Sequence, residues 1–338
     1  MASGRMEFHA DTIMQHANFA FVLPNDVYEP EIKDRRHYAR PPKTLILLHG
    51  LTGTDTDWLF GGVAQEMAIQ YNLAIFMPTA GNNFYLDRGY AGGNWASFVG
   101  EELPAYIRRT FGYCRCREDT LIGGLSMGGF GAIHTALRWP ETFSACIALS
   151  SALVLHEVAE LGRRENSVMP EAMVRDVFGD PKTLLGSEKD PEYLYRSGRA
   201  AGKTMPRLYL ACGTEDPLLR VNRDFRGFLA EQGADFCFEE GPGVHNWTFW
   251  NEYIDRGLAW ALRDDEREAE QEDAVTTGKK LTEMTNRELF CVLTGDRDVL
   301  RQARLQNLIL AYRKKHPERV GAGEMDLEAI VAEMSAED

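Results

Sequence analysis

The chain has 338 residues, 44% of them apolar and 10% aromatic, and sets 37 Lys and Arg against 51 Asp and Glu for a formal net charge of −14. That composition sustains a large buried core and excludes disordered and fibrous classes, while the acidic excess argues against a nucleic-acid partner, which needs clustered basic side chains. No apolar run reaches the roughly 18 residues that span a bilayer, and the first residues lack an apolar leader stretch, so a cytoplasmic protein without membrane segments is expected.

Two apolar segments, 8–13 and 17–22, predict a β-meander that ends at Pro24, followed by a charged, proline-bounded loop over 30–42. Buried strands are then expected at 44–48, 73–77, 120–123, 145–149, 207–212 and 235–239. Helical patterns over 62–71, 101–111, 127–138, 221–232 and 247–262 alternate with them. This rhythm predicts an α/β fold with a mostly parallel sheet flanked by helices. Residues 152–204 interrupt it with charged helical pieces and Asp-Pro turns, as a small cap inserted at the mouth of a sheet would.

After Leu262 the sequence turns polar, and the boundary of a catalytic domain of residues 1–263 is expected there. Residues 264–338 hold 18 acidic and 11 basic side chains, about half of the net charge. A capping-box spacing from Thr285 to Glu288 and apolar residues at 305, 308, 309 and 312 predict short amphipathic helices in this acidic extension. Packing on the main domain, an oligomer contact and a cover over the site mouth all fit it, and the sequence does not choose among them; the reading favoured over these is a solvated appendage without chemistry, since such charge runs are usually solvent faces.

The sharpest chemical signal is Gly124-Leu125-Ser126-Met127-Gly128, set between a predicted strand and a predicted helix. A serine on such a sharp turn stands clear of the chain only if the positions two before and two after it lack side chains. The competing reading, a glycine-rich phosphate turn, lacks the third glycine of a dinucleotide fingerprint, since His134 stands there. A serine hydroxyl needs a base and an acid that orients the base, expected here in the chain order Ser, acid, His. His245, in a Gly-rich loop after the last strand, fits as base. His134 and His156 are its rivals. Asp216, at the end of the preceding strand, fits as acid, with the adjacent Glu215 as the alternative.

Acyl chemistry also needs two N–H groups aimed at the developing oxyanion. Met127, after the nucleophile, supplies one. Leu51, in His49-Gly50-Leu51-Thr52-Gly53, supplies the other, with His49 itself read as structural. No Walker, His-Glu-x-x-His or paired Cys-x-x-Cys pattern is present, and the cysteines (114, 116, 146, 212, 237, 291) are scattered, so no metal, organic cofactor or disulfide framework is expected.

With these four spaced motifs, the segment Asn83-Phe84-Tyr85 and Glu101-Glu102-Leu103-Pro104, the sequence resembles the esterase D group of α/β-hydrolases from about residue 6 to residue 263. It is most similar to tributyrin, acetyl and feruloyl esterases, with S-formylglutathione hydrolases as more distant cousins. The resemblance implies an α/β-hydrolase fold and a serine carboxylesterase acting on short acyl or hydroxycinnamoyl esters, with Ser126, Asp216 and His245 as its triad. Residues 152–204 would be the small cap. Trp58, Phe84, Tyr85 and Trp247 are candidates for the acyl or alcohol pocket and equally for the core. The acidic extension departs from the family pattern and leaves a homo-oligomer open. A thioesterase or an acyltransferase using the same triad is the alternative, and a non-catalytic scaffold with the acidic tail as its working part is the remote one.

Overall fold

The computed structural model describes residues 1–32, 35–161 and 169–263. The expected domain boundary and the helices expected in residues 264–338 lie outside the described residues. Among the described residues eight strands form one sheet in the order β1-β2-β4-β3-β5-β6-β7-β8. They are β1 (Ala2–Ala10), β2 (Gln15–Leu23), β3 (Lys43–Leu48), β4 (Leu73–Pro78), β5 (Thr120–Leu125), β6 (Ala145–Leu149), β7 (Arg207–Gly213) and β8 (Phe236–Gly241). β1–β2 and β2–β4 pair antiparallel, and all other pairs are parallel.

Helices of seven or more residues are α1 (Ala64–Tyr71), α2 (Leu103–Phe111), α3 (Met127–Arg138), α4 (Leu155–Leu161), α5 (Glu171–Phe178), α6 (Pro191–Ala200), α7 (Leu219–Glu231) and α8 (Trp247–Ala261). The central strands are buried on both faces, which is why they read as apolar runs without alternation. In β3, Ile46 and Leu48 join the core shared with α2, α3 and α7, whereas Leu45 and Leu47 join the core shared with α1 and α8. Each such fully buried Leu or Ile contributes about 1.5–3 kcal/mol through its removal from water.

Chain order fixes where a site can form. From β3 the chain steps to one side, through α1 to β4, then crosses back past β3 to β5 through α2 on the opposite face. The sheet therefore reverses its winding between β3 and β5, and the loops leaving their carboxyl ends diverge and open a crevice. The expected oxyanion loop and the serine turn, which carries the other expected donor, lie at those two ends, where Leu48 pairs with Gly124.

Three expectations shift. β1 begins at Ala2 rather than residue 8, because an edge strand with alternating exposed polar residues carries little apolar signal. Residues 11–13, expected in that strand, instead belong to the hairpin turn, which the Glu102 carboxylate fixes by accepting the N–H groups of Asp11 at 2.6 Å and Thr12 at 3.0 Å. The helix expected from residue 101 is preceded by a π-turn, Phe98–Glu102, where the Trp139 indole packs against Gly100 in the space a side chain would fill. Between β6 and β7 the described residues form α4–α6 and no strand, and Asp190 starts α6 by accepting the Glu192 N–H at 2.9 Å ahead of Pro191.

Candidate active site

Ser126 sits between β5 and α3 at φ 56°, ψ −117°, a left-handed conformation costly for a residue with a Cβ. The turn is held by the Ser126 N–H, which donates to Leu149 O at 2.8 Å, and by Ser126 O, which accepts from Phe130 at 3.1 Å and Ala152 at 3.0 Å. A side chain on Gly124 would strike the Gly128 backbone, and one on Gly128 would meet His49 O at 2.6 Å and overlap Leu48 O. The two glycines thus let the turn close on itself and on the end of β3.

His245 Nε2 lies 3.0 Å from Ser126 Oγ, and His245 Nδ1 lies 2.8 Å from Asp216 Oδ2. The carboxylate accepts, so Nδ1 carries the proton and Nε2 is left to accept the serine proton. The Asp216 side chain is fully buried while the imidazole is 29% exposed. Burial by itself would raise the Asp216 pKa. The hydrogen bond and charge of His245, the Leu218 N–H at 2.8 Å and Ser150 outweigh it and hold the carboxyl below its ordinary value. Trp250 braces the imidazole edge-on at 4.9 Å and donates its indole N–H to Ser150 Oγ at 3.1 Å.

Glu215 faces the other way. Its exposed carboxylate accepts the Gly243 N–H at 2.7 Å, the main cause that keeps its pKa below the ordinary value, and so ties down the loop that carries His245. Sequence reading had no signal for this tether, because it depends on β7 and β8 being neighbours. The rival histidines are placed elsewhere. His134 is buried in α3, donates to Glu188 O at 2.8 Å, and is pushed by burial to a pKa of about 4. His156 lies on α4 beside Glu192 at 3.0 Å.

His49 is buried. Its Nδ1–H donates to Gly50 O at 2.7 Å and its Nε2 accepts the Ala80 N–H at 2.9 Å, and burial lowers its pKa, so the ring is neutral. The Gly53 N–H also donates to Gly50 O, at 3.1 Å. In a planar trans peptide the N–H points opposite to the C=O, so holding Gly50 O inward turns the Leu51 N–H outward, toward the cavity that Leu51 lines. The N–H groups of Leu51 and Met127 have no hydrogen-bond partner among the described residues. His49→Ala is therefore expected to lower kcat by about 10–100-fold with a smaller change in KM, part of the cost of losing one oxyanion donor. Steady-state kinetics on a soluble ester check it.

Ser126 and His245 open on a cavity of about 550 Å³. Phe84 and Trp247 line it, as do Val158, Met169, Val174 and Phe178 from the segment between β6 and β7. Trp58 and Tyr85 do not. Both are fully buried, with the Trp58 indole N–H donating to Leu48 O at 3.1 Å and the Tyr85 hydroxyl to His49 O at 3.0 Å, so their polar tips brace the end of β3 from within the core. Among the described residues no cluster of His, Cys, Asp and Glu could hold a metal ion, and no helix is long and apolar enough to cross a membrane.

A serine, a histidine and a buried carboxylate in hydrogen-bonded series, beside two unpaired N–H groups at the crevice of a mostly parallel sheet, define the chemistry of a serine hydrolase of the α/β-hydrolase class. The chain belongs to the Esterase family, whose model matches residues 11–261. It is 37% identical over 262 residues to an acetyl esterase of Caldicellulosiruptor saccharolyticus, covering 98% of that protein and 77% of this chain. Among solved structures, a substrate-bound fluorophosphonate-binding serine hydrolase of Staphylococcus aureus superimposes with a TM-score of 0.66 at 28% identity. An S-formylglutathione hydrolase of the same organism does so with a TM-score of 0.65, also at 28% identity. Each match covers 77% of this chain and 98% of the other. The protein is a carboxylic ester hydrolase.

Proposed function

We propose that Ser126 attacks the ester carbonyl while His245 Nε2 takes its proton, that Asp216 holds the imidazole tautomer and stabilises the imidazolium, and that the Leu51 and Met127 N–H groups stabilise the oxyanion. His245 then protonates the departing alcohol, and water activated by the same imidazole releases the acid. The observation that carries this reading is the continuous series Asp216–His245–Ser126, at 2.8 and 3.0 Å, opening on one cavity. Residues 1–263 act as the catalytic domain, residues 152–204 as its cap and residues 264–338 as an acidic helical extension. A cytoplasmic homo-oligomer belongs to the same reading.

For the substrate, we propose short-chain acyl esters, acetyl to butyryl, and hydroxycinnamoyl esters. The apolar residues at 158, 169, 174 and 178 and the ring of Phe84 suit an acyl chain, and a cavity of about 550 Å³ exceeds the need of an acetyl group. The acetyl esterase relative supports the short end of that range. A nitrophenyl ester series from acetate to octanoate, run beside feruloyl and acetylated-sugar esters, is expected to give its highest kcat/KM at four carbons or fewer or on the feruloyl ester. A maximum at octanoate would contradict this. The structural likeness to an S-formylglutathione hydrolase supports a second reading, a thioesterase or acyltransferase on the same acyl-enzyme. Product analysis with competing thiol and alcohol acceptors separates the two.

A further inference from the structure

The lining of the cavity at Ser126 is of two chemical kinds. One is apolar and aromatic, with Phe84 and Phe178 edge-on at 4.9 Å. The other carries Thr52, Asp57 and Trp247. Asp57 is the sole carboxylate among the described lining residues, which include no Lys or Arg. Its Oδ1 accepts the Thr54 N–H at 3.1 Å and the Thr54 hydroxyl at 3.4 Å, whereas its Oδ2 has no hydrogen-bond partner among the described residues. Gly53 leaves room for that oxygen, since a side chain there would overlap it.

The alcohol oxygen takes its proton from His245, so the alcohol half lies on the imidazole side of Ser126. From His245, Trp250 at 4.9 Å and Trp247 at a further 5.3 Å continue the lining on that side, and Trp247 packs edge-on at 5.1 Å against the buried Trp58, whose neighbour in sequence is the lining residue Asp57. A lone carboxylate with one free oxygen on that side does two things. It accepts a hydroxyl hydrogen bond, and it repels a second negative charge that no Lys or Arg of the described lining offsets.

On the esterase reading above, we propose that Asp57 is a specificity-determining residue that reads the alcohol half. It accepts a hydroxyl from a neutral polyhydroxy alcohol and excludes alcohol or thiol halves that carry a net negative charge. A glutathione thioester, with two carboxylates against one ammonium, falls in the excluded class. A partly acetylated glycerol or sugar falls in the accepted one.

The test compares kcat/KM on three acetyl esters and one acetyl thioester, each as a ratio to ethyl acetate: monoacetylglycerol, an acetylated xyloside, O-acetyl-lactate and S-acetylglutathione. In Asp57→Asn, which retains the acceptor for Thr54, both anionic ratios are expected to rise about tenfold. In Asp57→Ala, at least one hydroxylated ratio is expected to fall on the order of threefold to tenfold, and whichever falls, glycerol or sugar, identifies the alcohol. Added salt should raise the anionic ratios of the wild type, a readout that needs no variant should Asp57→Ala fail to fold. If the anionic ratios in Asp57→Asn or the hydroxylated ratios in a folded Asp57→Ala stay at wild-type values, or salt leaves the wild-type anionic ratios unmoved, the proposal is overturned. Failure of the wild type on every ester, ethyl acetate included, would instead overturn the esterase reading beneath it.

Discussion

Ser126→Ala is expected to lower kcat/KM about 10⁴- to 10⁶-fold on every ester the wild type cleaves, the scale of loss when a nucleophile is removed from a preorganised site. The fold should survive. The Cβ that feels the left-handed backbone at φ 56° is present in both residues, and the main-chain hydrogen bonds of the turn do not involve the hydroxyl. Stability should therefore shift by less than about 1 kcal/mol. Rate measurements on matched, folded samples check the pair of statements. A variant that keeps a tenth of the wild-type rate would show that another group is the nucleophile.

The second large effect belongs to the acid. Asp216→Asn is expected to lower kcat about 10³- to 10⁴-fold, because a neutral amide no longer stabilises the imidazolium and does not enforce the tautomer with its proton on Nδ1. Glu215→Gln should cost less than about tenfold. Its carboxylate accepts a main-chain N–H two residues from His245 and does not touch the imidazole. A larger loss in Glu215→Gln than in Asp216→Asn would reverse the assignment. Asp216 also links activity to acid stability. Its folded pKa lies below the ordinary value of 3.8, so its contribution to stability is complete above that value and is lost as pH falls through the folded pKa. The difference in melting temperature between wild type and Asp216→Asn should accordingly shrink only below about pH 4, as read by thermal melts across an acid series.

The parts of the molecule legible in the sequence are those governed by local rules. Residues 127–138 and 145–149 form a helix and a strand with the bounds their patterns imply, because one follows a turn that admits a single geometry and the other is an apolar run buried on both faces. The order of serine, acid and histidine also follows from chain topology, and the three side chains do meet. Features that depend on distant pairings were less legible. Trp58 and Tyr85 carry the same aromatic signal as Phe84 and Trp247, and only the position of their polar tips against Leu48 and His49 separates core from cavity. Likewise, the tether from Glu215 to Gly243 exists because β7 and β8 end side by side at Gly213 and Gly241. The apolar wall supplied by Met169, Val174 and Phe178 comes from a segment whose charged helices gave no sign of which residues turn inward. β1 shows the same limit at the sheet edge, where polar alternation over residues 2–7 hid most of a nine-residue strand.

If Ser126 is the nucleophile, it is the side chain that a covalent serine-hydrolase probe labels. Incubation with a fluorophosphonate, followed by trypsin digestion and peptide mass spectrometry, should place a single adduct on the peptide of residues 118–138, whose only serine is Ser126. Fragmentation should assign it to that serine, and Ser126→Ala should take up none. An adduct on another peptide, or labelling that persists in Ser126→Ala, would show that Ser126 is not the nucleophile.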